Sequence, residues 1–146
     1  MSEIIKITEE QIIECTDLYI NVFNAAPWND NWTVETARRR LNDMYIAPNF
    51  EGLAYVEAGK VKAAVFGNYE QFYDGIHYNL REFFVSNEMQ GMGIGSRLIA
   101  ELERALKKIG ITTIYLFTSK GNKTSEFYLN NNYSEWDGMA MMGKDI

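Results

Sequence analysis

The sequence predicts an α+β fold built on a mixed β-sheet, and three observations predict it. Short runs rich in β-branched and aromatic residues, such as Leu53-Ala54-Tyr55-Val56, alternate with longer runs whose apolar residues recur every third or fourth place. Ala58-Gly59-Lys60 sits between two of the strand runs as a hairpin turn. A glycine-rich stretch, Gln90-Gly91-Met92-Gly93-Ile94-Gly95-Ser96, joins a strand run ending at Val85 to the amphipathic run from Arg97 to Leu106.

Each element follows from local chemistry. Residues 3–7 read as a short strand, and Thr8 followed by Gln11 is a capping box that opens a helix. Ile12, Tyr19, Ile20 and Phe23 mark the buried face of that helix, which ends before Pro27. Thr33 caps a second helix with Val34, Ala37, Leu41 and Met44 on its apolar side, closed by Pro48. Strands follow at 53–57 and 61–66, and after the turn signal Asp74-Gly75 a third runs from Ile76 to Val85. The long helix after the glycines stops at Gly110. A strand at 111–118, a short helix near 122–131 and a tail of one or two strands complete the order β-α-α-β-β-β-α-β-α-β.

Composition narrows the function classes. A chain of 146 residues makes one domain, 1–146, able to bury roughly two-thirds of its unfolded surface. Hydrophobic residues at 47% and aromatics at 14% favour a packed globule over disorder. A net charge of −6 argues against a nucleic-acid binder that neutralises phosphates. It suits a cationic partner as well as ordinary solubility. Cys15 is the single cysteine, lies on the apolar face of the first helix and reads as a buried thiol rather than a nucleophile. Met1-Ser2-Glu3-Ile4-Ile5-Lys6 is no signal peptide, and no apolar run approaches ~18 residues, so a cytoplasmic protein with no membrane span is expected.

The glycine stretch carries the functional signal. Oriented amides and the positive end of a helix dipole bind phosphate oxygens, although such turns also serve helix packing alone. A P-loop needs Gly-Lys-Ser/Thr, which is absent. A dinucleotide fingerprint needs G-x-G-x-x-G, but its third position falls on Ser96 or Leu98, and the strand 111–118 offers no carboxylate.

Gln90, Gly93 and Gly95 do fit Gln/Arg-x-x-Gly-x-Gly/Ala, and with Phe83-Phe84-Val85 before it and Phe127-Tyr128 … Asn132-Tyr133 after it the chain resembles the GNAT superfamily of acyl-CoA-dependent N-acyltransferases. The likeness is good over about residues 76–135 and extends to the N-terminal half by element order. It implies a GNAT-like sheet with helices on both faces and an acetyl-CoA-dependent N-acetyltransferase, with no metal. The backbone of Phe83, Phe84 and Val85 would hold the pantetheine arm. Gln90, Gly91, Met92, Gly93, Ile94, Gly95 and Ser96 would hold the pyrophosphate.

Tyr128 matches the tyrosine that protonates the CoA sulfur, a phenol at ~10 being close enough to a thiol at ~8.5 to share the proton. Packing beside Phe127 is its structural alternative. Asn122 lies one place from the family's pantetheine-binding Asn. The family's general-base Glu falls on Asn79, which takes no proton. Glu82 is the nearest carboxylate, but on a regular strand its odd spacing from Asn79 turns it to the other face unless a bulge re-aims it. Glu70, Asp74, His77 or a water relay are the other routes.

Trp28, Asp30 and Trp32 in one loop and Tyr73 in another border the acceptor cleft of the resembling fold. Aromatic and acidic groups suit a small-molecule or peptide amine, or they anchor loops to the core. A homodimer is one compatible assembly. A catalytically idle acyl-CoA-binding module is the competing reading, sharing the CoA loop and differing in the acceptor groups.

Overall fold

The computed structural model describes residues 1–146 and divides them into two compact units, Met1–Tyr115 and Leu116–Ile146. The first contains β1 (Ser2–Lys6), α1 (Glu9–Phe23), α2 (Val34–Ile46), β2 (Phe50–Glu57), β3 (Lys60–Phe72), β4 (Gly75–Val85), α3 (Ile94–Lys108) and β5 (Ile111–Tyr115). The second contains α4 (Lys123–Asn130). One sheet holds all five strands in the order β1-β2-β3-β4-β5, antiparallel except for the parallel β4–β5 pair. This is the mixed α+β sheet that the sequence predicts.

Pleating sorts the strand residues onto two faces. Ala54, Ala64, Phe66 and Phe84 share a core with Ile12, Cys15, Tyr19 and Val22 of α1 and Ala37, Leu41 and Met44 of α2. Their neighbours Leu53, Tyr55, Ala63 and Val65, also buried, turn to the opposite face. There α3 packs through Leu98, Ile99, Leu102 and Leu106, and Arg97 lies 5.4 Å from the centre of the Tyr55 ring. Helices therefore cover both faces. The expected caps form as well: Thr8 with Gln11, and Thr33 accepting from the Thr36 amide at 3.1 Å.

Several strands differ from expectation: β2 begins at Phe50 rather than at 53, β3 runs on to Phe72 rather than 66, and the C-terminal part departs as well. The strand expected over 111–118 ends at Tyr115. The tail, expected to form one or two strands, forms none beyond α4. Met139, Met141 and Met142 are exposed there, flanked by Gly138 and Gly143, so the segment has neither the alternating buried face nor the ladder partner that a strand requires.

Candidate active site

The site in the first unit grows from two irregularities in β4. The first is a register shift on β3: Phe66 faces Glu82, but Gly67 faces Leu80, so Arg81 is an extra residue. Gly67 permits this, because a Cβ there would run into the Tyr78 ring and the Asn79 carbonyl. The bulge also cancels the odd spacing. Asn79 pairs with Asn68 and Glu82 with Phe66, and residues 66 and 68 share a face. Glu82 is thereby turned onto the α1/α2 face, the same side as Asn79.

There it meets two donors that sequence reasoning missed. Tyr19 donates its hydroxyl to Glu82 Oε2 at 2.8 Å, and Arg40 donates Nε to the same oxygen at 2.8 Å. The Glu82 side chain is only 12% exposed. Burial, reinforced by the Glu82 charge, pushes the Tyr19 phenol far above its usual range, so it remains a donor. For Arg40, burial works downward, but the hydrogen bond and charge of Glu82 outweigh it and the guanidinium is held above its ordinary value. With both bonds on Oε2, Oε1 lies outside that pair.

The second irregularity is that β5 ends where β4 continues. β4 and β5 pair only from Ile76–Ile111 to Asn79–Tyr115, while β4 runs on to Val85. Its edge from Leu80 to Val85 therefore has no β5 partner. Phe84 points into the core and Phe83 and Val85 are half-buried, so what this edge offers is backbone. The Val85 carbonyl accepts from Gln90 Nε2 at 3.1 Å, and the same nitrogen donates to Asn87 Oδ1 at 3.1 Å. Gln90 thus ties the turn back onto the strand.

That edge leads into the glycine turn. Gly91 and Gly93 adopt φ of +79° and +80°, the left-handed region, and a Cβ on either would meet no atom within 4 Å. Met92 between them is exposed. Gly93 is the N-cap of α3 and supplies no side chain, and the first intrahelical bond runs from Arg97 N to Gly93 O. The amides of Ile94, Gly95 and Ser96 precede it, with no acidic residue in the first turn. Open space, orphan N–H groups and the dipole's positive end are the features that a seat for phosphate oxygens requires.

The loop residues expected at an acceptor cleft separate. A cleft of about 320 Å³ is lined by Trp32, Thr36, Arg39, Arg40, Asp43, Met44 and Arg81. Trp32 is held there by its edge-on contact with Tyr19 at 5.0 Å and by donating its indole N–H to Asp30 at 3.1 Å. Trp28 packs on Phe23 instead, and Tyr73 stands fully exposed at the β3–β4 turn. Asp74 Oδ1 lies 3.0 Å from His77 Nε2 but off its N–H direction, and Phe72 stacks on the His77 ring. No group of three or more His, Cys, Asp or Glu side chains is arranged to hold a metal. No helix is long and apolar enough to cross a membrane.

In the second unit, Asn122 is the N-cap of α4, its Oδ1 accepting from Ser125 N at 3.0 Å, so that oxygen is committed to the helix. Tyr128 is buried, with ring contacts to Phe127 and Tyr133, and its carbonyl accepts from Tyr133 N at 3.0 Å. Asn132 takes φ of +71°, the left-handed conformation expected where the family has Gly.

Comparison with known proteins agrees with this construction. Among curated proteins, no sequence relative matches the chain. In structure it is similar to a possible acetyltransferase from Clostridium difficile 630, at 16% identity, TM-score 0.84, and coverage of 100% of this chain and 98% of that one. An integron cassette protein from the mobile metagenome of V. cholerae gives 15% identity, TM-score 0.82, and coverage of 99% and 92%. An aminoglycoside N-acetyltransferase in complex with CoA gives 14%, 0.78, and coverage of 100% and 96%. At these identities the likeness speaks for the fold. The sequence itself matches the profile of the "Acetyltransferase (GNAT) family" over residues 19–131, so the chain belongs to the GNAT family of acetyltransferases.

Proposed function

We propose that this protein is an N-acetyltransferase that moves an acetyl group from acetyl-CoA to a primary amine by direct attack in a ternary complex. The whole chain, residues 1–146, works as one acetyltransferase domain in the cytoplasm. One observation carries the reading: β4 continues past Asn79, where β5 has ended, and leads through a single turn at Asn87–Met89 to the left-handed glycines at the N-terminus of α3. The β4 backbone beyond the end of β5 suits the amide-bearing pantetheine arm, and the α3 amides suit the pyrophosphate.

Attack of the amine on the thioester carbonyl forms a C–N bond and breaks the C–S bond. A proton leaves nitrogen and one reaches the departing sulfur. Glu82, turned onto the α1/α2 face by the Arg81 bulge and steadied by Tyr19 and Arg40, takes the nitrogen proton directly or through one water. Tyr128, matched to the family's tyrosine by its sequence position, gives the proton to sulfur.

Two measurements test this. Acetyl-CoA at about 100 times its dissociation constant stabilises the fold by ~2.7 kcal/mol, raising the melting temperature while NAD and ATP do much less. Equal shifts from all three overturn the reading. Thiol release over an amine panel then identifies turnover, and Tyr128→Phe lowers it by ~10²–10⁴-fold with acetyl-CoA affinity retained. Unchanged turnover in that variant removes Tyr128 from the chemistry. Tight acetyl-CoA binding with no amine acetylated makes the protein an idle acyl-CoA-binding module.

A further inference from the structure

The cleft beside Glu82 carries a charge pattern opposite to that of the molecule. The chain has a net charge of −6, yet the groups lining this cleft are three guanidinium groups, Arg39, Arg40 and Arg81, against one carboxylate, Asp43. Arg40 is committed through Nε to Glu82. Arg39 lies 3.9 Å from Glu35, but both side chains are at least 74% exposed, so that pair is weak and exchangeable. Arg81 makes no salt bridge.

Arg81 is also the bulged residue. The extra residue that brings Glu82 to the α1/α2 face puts its neighbour at the cleft lining as well, so one backbone irregularity supplies both a proton acceptor and a cation. Trp32 and the buried Met44 contribute apolar wall to the same space.

We infer that the acceptor is a primary amine that also bears an oxyanion, a carboxylate or a phosphate, bound by Arg81 and Arg39 while the amine lies toward Glu82. A planar guanidinium matches either oxyanion with paired N–H donors. A small amino acid or phosphoamine fits a volume of about 320 Å³. A polycationic amine, by contrast, brings like charge against Arg81 and Arg39. The inference rests on the acetyl-transfer reading above and specifies its acceptor.

The test uses matched amines with acetyl-CoA: butylamine against 4-aminobutyrate, ethanolamine against O-phosphoethanolamine, and kanamycin as the polycation. Expected is a kcat/KM about 10- to 100-fold higher for the oxyanion-bearing member of at least one pair, the range of one or two charge-assisted hydrogen bonds. The carboxylate and phosphate arms tell the two sources apart. Arg81→Gln should collapse that ratio toward one, chiefly through KM, and Arg81→Lys should restore part of it. Acetylation of butylamine, ethanolamine or kanamycin with no preference for their oxyanion partners overturns the inference and leaves the acetyltransferase standing. If no amine turns over, calorimetric titration of 4-aminobutyrate and O-phosphoethanolamine into the CoA-bound protein decides the cleft separately. Binding weakened about tenfold or more by Arg81→Gln supports it, and binding absent, or equal in wild type and variant, overturns it.

Discussion

Replacing Glu82 by Gln separates what the carboxylate does for the fold from what it does for the chemistry. In the wild type it accepts two hydrogen bonds at 2.8 Å on one oxygen, from a Tyr19 that is 2% exposed and from Arg40. Gln keeps a carbonyl acceptor of the same reach but loses the charge. Charge-assisted bonds are roughly twice as strong as neutral ones, and a bond to a charged group contributes ~1.5–3 kcal/mol. The Arg40 side chain is 37% exposed, so its share is discounted for solvent screening. The expected loss is about 1.5 kcal/mol, or a fall of ~3–6 °C in melting temperature for a chain of this size. Tyr19→Phe should cost about as much alone and about half as much in the Glu82→Gln background, a coupling of ~0.5–1 kcal/mol by urea denaturation. At 25 °C, well below the transition, steady-state thiol release across pH 6 to 9 reads the second role. A lost base lowers kcat by ~10²-fold, the lower end for a general acid–base group, most strongly at the low-pH end, where less of the amine is already neutral. Zero coupling would mean that the Tyr19–Glu82 bond does not hold in solution. Unchanged kcat at every pH would leave the proton to water and remove Glu82 from the mechanism.

Two further predictions concern the glycine turn and alkaline stability. Gly93→Val should stay folded but melt lower, because a β-branched residue at φ of +80° is strained by about 1–2 kcal/mol while its side chain meets no protein atom within 4 Å. It should lose the acetyl-CoA shift, and a normal shift would show the turn to be structural only. Burial, with the Glu14 charge behind it, pushes the Cys15 thiol from 9.0 to about 12, and Tyr19 also shifts upward, so the folded state favours the neutral form of both. Above pH 9 for the thiol and above pH 10 for the phenol the unfolded chain sheds protons that the folded one retains, so stability is intact below pH 9 and falls as pH rises toward 12, by about 1.4 kcal/mol per unit for each group within its window. Urea midpoints from pH 8 to 10.5 should fall accordingly, less steeply in Cys15→Ala, and a flat profile would contradict the burial of both groups.

The local parts of this molecule were legible in its sequence because their causes are local. Thr8 and Thr33 cap helices through residues three places on, Gly110 stops α3 with its own left-handed φ, and the apolar spacing of α3 names the residues it buries. The glycine turn belongs to the same class, since Gly91 and Gly93 need only their own φ to form it. The tail resisted the same treatment: a strand exists only with a partner, and Met139 to Met142 have none to pair with. The candidate site divides along the same line. Gln90–Ser96 could be read as a phosphate seat from adjacent letters, and Glu82 could be singled out as the nearest carboxylate to Asn79. Which way Glu82 faces depends on an extra residue at Arg81, admitted by a glycine 14 positions earlier on another strand. Its donors lie 63 and 42 positions away, on helices whose own periodicity marks Tyr19 only as apolar. A bulge is a mismatch between two strands, and the convergence of residues 19, 40, 81 and 82 is a product of packing two helices on that mismatch, so it comes into being only with the tertiary structure.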